Sequence, residues 1–245
     1  MPARFEALVF DLGGVIASHD NDLLYRRIAA RSTMPDALER LRGWTGDRDL
    51  GTGRLRVSGL HRRLCAEYGL AADWPEFAGI WCSHLGLDPA MLDYVEDLAR
   101  QQRVLIFSNT NAEHWDYIVA LSEGRLGRFE AYLSHEIGLV KPDIEAFLDV
   151  ARRAGIDPRR SLFIDDIAAN IDGARAAGFE GLLFTGQSAL EAYLSSWRQT
   201  APLEQPSPGW SLRQRPQGGD HLAQLPAQRL VLAQDERQAA MQRRR

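Results

Sequence analysis

Apolar and polar positions fall in blocks along this chain. Short apolar runs recur at Ala7-Leu8-Val9-Phe10, Val104-Leu105-Ile106-Phe107, Ala131-Tyr132-Leu133, Leu162-Phe163-Ile164 and Leu182-Leu183-Phe184. Runs of this length without polar alternation fit strands buried on both faces, as in a parallel sheet. Segments of helical periodicity separate most of them, so the predicted fold is α/β, a Rossmann-like parallel sheet flanked by helices. Between the first and second runs lie more than ninety residues with no convincing strand. Their pattern is helical: Leu23, Leu24, Tyr25 and Ile28; Leu60, Leu64 and Tyr68; Met91, Leu92, Tyr94, Val95 and Leu98. A single crossover helix needs far fewer residues. A helical cap is therefore predicted at 17–92, with 1–16 and 93–198 forming the sheet domain. Trp44, Trp74 and Trp81 fall in the cap and are expected to fill its small core. After Trp197 the chain turns rich in Pro, Gln and Arg and loses its periodicity, so 199–245 reads as a mostly disordered tail.

Composition narrows the picture. An apolar fraction of 45% and a charged fraction of 25% are those of an ordinary globular protein. The net charge of −4 is uneven: seven Arg against four acids from Gln199 onward make the tail +3 and the body −7. An acidic body argues against nucleic acid as the partner, because phosphate backbones demand clustered cations. The basic end Arg243-Arg244-Arg245 reads as a solubilising terminus. Cys65 and Cys82 fit neither a disulfide framework nor a metal-ligand spacing, and read as small buried residues in a reducing compartment. The first apolar run is broken by Asp11 and is too short for a signal peptide or membrane span, so the expected location is the cytoplasm. Of 29 Lys and Arg residues only Lys141 is lysine. Lysine offers a compact ammonium where arginine offers a wide planar fork. A position that keeps lysine in so arginine-rich a chain suggests a point charge in a tight space.

In open α/β sheets, ligands gather outside the carboxyl ends of the strands. The first run ends in Asp11-Leu12-Gly13-Gly14-Val15 and the second in Ser108-Asn109-Thr110-Asn111. The third leads through Ser134-His135-Glu136 to Lys141, and the fourth ends in Asp165-Asp166 with Asn170 shortly after. A carboxylate after the first strand can be a nucleophile or a metal ligand. Paired carboxylates after the fourth repel unless a cation sits between them and the first, which implies a hard metal such as Mg²⁺. Ser108 and Asn109 supply neutral donors suited to phosphoryl oxygens, and Lys141 would balance negative charge. Gly13 and Gly14 let backbone amides approach a ligand closely.

On these motifs the chain resembles the haloacid dehalogenase superfamily, in its branch with a helical cap after the first strand. The matching segments run from Phe10 to Ile16, Leu105 to Asn111, Gly138 to Pro142 and Phe163 to Ala174, over roughly residues 5–190. Within the superfamily it is similar to the α-D-glucose-1-phosphate phosphatases and the phosphatase domain of soluble epoxide hydrolases. The resemblance implies a Mg²⁺-dependent phosphatase acting on a small phosphorylated metabolite, plausible as a sugar phosphate. It makes Asp11 the nucleophile that becomes an aspartyl-phosphate. Ser108, assisted by Asn109, would hydrogen-bond the phosphoryl group, and Lys141 would hold Asp11 ionised. Asp11, Asp165, Asp166 and the backbone carbonyl of Gly13 would bind the metal, with Gly14, Thr110 and Asn170 in support.

One departure stands out. Most phosphatases of this superfamily carry a second aspartate two residues after the nucleophile, and here that residue is Gly13. General acid–base help of that kind is worth about 10²–10⁴-fold. Three readings are open. The loss is tolerated, as the glycine of the resembling phosphatases suggests; or the protein is a dehalogenase, whose halide needs no proton but which needs no metal either; or the fold serves as a non-catalytic binding module. His19, Asp20 and Asp22 could face the site mouth, and one could supply the missing acid, but they read first as polar residues leading into the cap. His114 reads as a capping or packing residue, and Arg42, Trp44 and Arg54 as ordinary cap residues.

Overall fold

The computed structural model describes residues 5–44 and 48–198. The tail expected at 199–245 lies outside the described residues. In chain order the elements are β1 (Ala7–Phe10), β2 (Ala17–His19), α1 (Asn21–Ala29), α2 (Ala37–Arg42), α3 (Arg48–Gly51), α4 (Val57–Tyr68) and α5 (Trp74–Cys82). There follow β3 (Leu85–Leu87), α6 (Pro89–Ala99), β4 (Arg103–Ser108), α7 (Ala112–Leu121), β5 (Glu130–Leu133), α8 (Ser134–Ile137) and α9 (Ile144–Ala154). β6 (Ser161–Asp165), α10 (Ala168–Ala176), β7 (Glu180–Leu183) and α11 (Gln187–Arg198) complete the described chain.

The five expected strands form one parallel sheet in the order β5-β4-β1-β6-β7. β1 lies at its centre, and all four of its residues are buried. Alternate strand residues serve opposite faces, as the pleat requires. Leu8, Phe10, Ile106, Leu162 and Ile164 join one apolar cluster, which α6 supplies with Leu92 and Val95 and α7 with Ile118. Ala7, Val9, Leu105, Phe107 and Phe163 join the other, with Phe147 and Val150 of α9 and Ile171 and Ala174 of α10. Helices thus cover both faces, and polar residues are pushed to the strand ends.

Two features correct the expectations. The stretch between β1 and β4 does contain strands, β2 and β3, which pair antiparallel with Ser18 opposite Gly86. Three-residue strands of Ala-Ser-His and Leu-Gly-Leu lack β-branched residues, and their partners lie far apart in sequence, so no local pattern reveals them. The expected boundary at 92/93 falls inside α6, whose buried Met91, Leu92, Val95 and Leu98 join the sheet-side cluster. Asp88 caps this helix through Met91 N at 3.0 Å, and its own N–H reaches back to Ile16 O at 2.9 Å. The chain leaves β1 and returns to α6 through the paired β2 and β3 strands. The cap core is continuous with the sheet: Leu24, Leu41, Phe77 and Trp81 belong to the same cluster as Phe10 and Ile106. Trp81 is buried within it, while Trp44 and Trp74 pack against its margin.

One glycine in α10 sets how closely that helix meets the loop after β5. A Cβ built on Gly173 would lie 2.3 Å from Pro142 O and 3.0 Å from the Phe147 ring. Backbone cannot yield as a flexible side chain can, so Gly173→Ala is expected to cost about 1–3 kcal/mol of stability by overpacking. Urea denaturation of the two proteins checks this, with a lowered midpoint and unchanged slope as the expected result.

Candidate active site

The loop after β1 doubles back at once. Asp11 N donates to Ile164 O at 2.8 Å, Ala17 N to Leu12 O at 2.8 Å and Gly14 N to Ala17 O at 2.7 Å. Gly14 has φ +74, and a Cβ there would lie 2.0 Å from Asp166 Oδ2. Only glycine combines that left-handed backbone with so close an approach. The turn places the Asp11 carboxylate at the floor of a cavity of about 400 Å³, which Gly13, Ser108, Asn109, Thr110, Lys141, Asp166 and Asn170 also line. The sheet thus brings every candidate residue except Gly14 and Asp165 to the cavity surface.

Asp165 lies just beneath it, wholly buried. Its Oδ1 accepts from Ile167 N at 2.8 Å, its Oδ2 accepts from Lys141 Nζ at 2.7 Å, and Asn170 Nδ2 reaches both oxygens at 3.1 and 3.0 Å. Asp165 is thereby spent as an anchor. The neighbouring Asp166 differs, because its Oδ1 is buried and has no hydrogen-bond partner. Lys141 Nζ also lies 2.8 Å from Asp11 Oδ1, and its side chain is 1% exposed. The Phe107 and Phe163 rings flank the ammonium at 5.4 and 5.3 Å. So confined a position suits a compact ammonium and would crowd a guanidinium.

Asn109 fixes Lys141 from the backbone: its Oδ1 accepts from Lys141 N and its Nδ2 donates to Lys141 O, both at 2.9 Å. Ser134 does the same for Thr110, accepting from its N–H at 3.0 Å and donating to its carbonyl at 3.1 Å. Neither clamp has a signature in sequence, since each joins residues 24 or 32 positions apart. Burial pushes the Asp11 carboxyl up from 3.8 to about 6; Lys141 opposes the rise and Asp165 adds to it.

Histidines form the roof. His114 Nδ1 accepts from Asn111 Nδ2 at 3.1 Å, so its Nε2 carries the proton and donates to Trp81 O at 3.1 Å. Its ring stacks on Trp81 with centroids 4.9 Å apart, which is the packing role expected of it. Burial drives His114 down to about 3 and His84 down to about 4. His84, which sequence reasoning did not single out, lines the cavity together with His19. The cap is docked onto the sheet domain by an Arg48–Asp143 ion pair and by Gly53, where a Cβ would lie 2.3 Å from His135 O.

Three carboxylates, those of Asp11, Asp165 and Asp166, present oxygens within 4.8 Å of one another. Set against one lysine, that is three negative charges to one positive. The unpartnered Asp166 oxygen and this imbalance fit a hard cation bound between Asp11 and Asp166.

Comparison with known proteins agrees with this architecture. The chain belongs to the haloacid dehalogenase-like hydrolase family, whose model matches residues 5–178. A D-ribitol-5-phosphate phosphatase from Bacteroides thetaiotaomicron is 30% identical over 183 residues, spanning 71% of this chain and 88% of the relative. A predicted hydrolase of the family from Porphyromonas gingivalis superposes with a TM-score of 0.70 at 26% identity, over 80% of this chain and 99% of that one. A family enzyme from Bacteroides thetaiotaomicron, solved with magnesium and inorganic phosphate, has a TM-score of 0.67 at 24% identity, over 76% and 98% of the two chains. The narrower likeness to glucose-1-phosphate phosphatases and epoxide hydrolases is not carried by these matches. Among the described residues no helix is long and apolar enough to cross a membrane.

The buried ion triad makes a testable demand. Lys141→Met leaves Asp11 and Asp165 as buried unpaired charges, a loss of about 3–5 kcal/mol. The folded pKa of Asp11 lies above its ordinary value. Its contribution to stability is therefore complete in acid and falls as pH rises through about 6. Lys141 opposes that fall, so the deficit of the variant should be larger near neutrality than in mild acid. Denaturation of both proteins without added metal at the two pH values measures it.

Proposed function

We propose that this protein is a magnesium-dependent phosphatase that hydrolyses a small phosphomonoester, a sugar or polyol phosphate, through an aspartyl-phosphate on Asp11. The observation that carries the reading is the Asp11–Lys141–Asp165 triad on the floor of a capped cavity, with Asp166 offering a free oxygen beside it. Support comes from the phosphatase to which the chain is similar and from the magnesium and phosphate bound by its structural neighbour. A cavity of about 400 Å³ suits a phosphorylated molecule of a few carbons.

In this reading Asp11 attacks phosphorus in line with the departing oxygen. Lys141 keeps the attacking carboxylate ionised against the desolvation that raises its pKa, and it has a third donor for a phosphoryl oxygen. Ser108, at the end of β4, lines the same floor and offers its hydroxyl to another. Asn109 acts chiefly by holding the Lys141 backbone in place. Asp165 and Asn170 anchor Lys141 from below. Mg²⁺ held by Asp11 and Asp166 would neutralise charge on the transferring group, the main chemical demand of phosphoryl transfer. Burial of Asp11, Ser108 and Lys141 on the floor strengthens the charge interactions made there.

Phosphate release from p-nitrophenyl phosphate and a panel of sugar and polyol phosphates tests the reading, with Mg²⁺ and with EDTA. Metal-dependent turnover is expected, and Asp11→Asn should abolish it while leaving the circular dichroism spectrum unchanged. Silence across the panel would favour a binding module, and halide release from haloacids without metal a dehalogenase.

A further inference from the structure

Expelling an alkoxide from a phosphomonoester needs a proton donor, and hydrolysing the aspartyl-phosphate needs a base for the attacking water. The side chains lining the cavity leave few choices. Asp11 is the proposed nucleophile, and Asp166 carries the free oxygen assigned to the cation. Lys141 is held between two carboxylates. His114 has both ring nitrogens engaged, and burial lowers the pKa of both it and His84, whose Nδ1 is buried without a partner, which disfavours either as the proton donor. His19 is the remaining titratable side chain lining the cavity, and it is exposed, so it can exchange protons with water.

Geometry singles it out independently. A Cβ built on Gly13 would lie 3.6 Å from His19 Nδ1 and 3.9 Å from Cε1, ordinary van der Waals contact. The imidazole therefore stands where a side chain at position 13 would project. Gly13 lies outside the left-handed region that confines Gly14, so its backbone does not require glycine. A Cβ would fit beside the ring, and a longer side chain at position 13 would extend from there toward the same space. The ribbon holds His19 there: His19 pairs with Leu85, and Asp20 N donates to His84 O at 3.0 Å.

We propose that His19 is the catalytic proton donor and acceptor of this site, serving from the cap ribbon. This rests on the phosphatase reading above. As Asp11 Oδ bonds to phosphorus and the bond from phosphorus to the leaving oxygen breaks, the His19 imidazolium gives its proton to that oxygen. The neutral imidazole then takes a proton from water, whose oxygen attacks the aspartyl-phosphate. The P–O bond to Asp11 breaks, and inorganic phosphate and a free carboxylate result.

Two aryl phosphates test this on the full chain with Mg²⁺: p-nitrophenyl phosphate, whose leaving group needs no proton, and phenyl phosphate, whose more basic leaving group does. His19→Ala should lower kcat/KM for phenyl phosphate by about 10²–10⁴-fold and for p-nitrophenyl phosphate by less than about tenfold. It should also release a burst of p-nitrophenolate stoichiometric with enzyme, because the second step has lost its base. Adding Gly13→Asp to His19→Ala should recover about tenfold or more of the phenyl phosphate rate, since a carboxylate then occupies the vacated space. Equal losses on both substrates, or a change in KM alone, would overturn the role of His19 while leaving the phosphatase reading intact. Failure of the unmodified protein to hydrolyse either substrate would overturn both.

Discussion

One buried cation holds the working end of this molecule together. Lys141 Nζ lies within 2.8 Å of carboxylates from the ends of β1 and β6. Its backbone is gripped by Asn109 from the end of β4. Three adjacent strands of the sheet thus converge on one ammonium. In so dry a setting an ion pair is held together only if every partner is well placed, because each charge has given up its hydration. Asn170 completes the arrangement by saturating Asp165 from α10. Asp165 is thus fully engaged beneath the floor, while Asp11 and Asp166 line the cavity and Asp166 keeps an oxygen without a hydrogen-bond partner.

The roof follows a different logic. It is built from aromatic and imidazole rings, with Trp81 stacked on His114 and on Phe77. Trp81 and Phe77 belong to one apolar cluster that also holds Phe10 and Ile106 of the sheet. The Arg48–Asp143 pair adds a second point of attachment two residues beyond Lys141. Cap position and floor geometry are therefore linked through a short stretch of chain.

How much of this was legible in sequence depended on how local its cause is. The three central strands announce themselves because strands buried on both faces are apolar throughout, and their ends announce chemistry because Asp11, Ser108 and Asp165-Asp166 close those runs. The β2–β3 ribbon does not, because its pairing spans residues 20–84 and its residues carry no strand preference. The distinction between Asp165 and Asp166 was also hidden. Adjacent identical residues acquire different tasks only through what surrounds them, here Lys141 and Asn170 for one and the turn at Gly14 for the other. Sequence offers His19, Asp20 and Asp22 alike as residues near the site mouth, and the approach of His19 to Gly13 exists only once the chain has doubled back.

That ribbon has a consequence for how the molecule could change over generations. Ala17–His19 and Leu85–Leu87 lie side by side, so the chain leaves the sheet domain and returns through a doorway one strand spacing wide, roughly 4.8 Å. The doorway, not the length of chain behind it, sets where the chain leaves β1 and where it returns to α6. Because the entropy of closing a loop grows only slowly with its length, lobes of very different size could be grafted there without shifting the register of β1 against its neighbours. The floor that handles charge can then stay fixed while the chamber above it is rebuilt for another molecule.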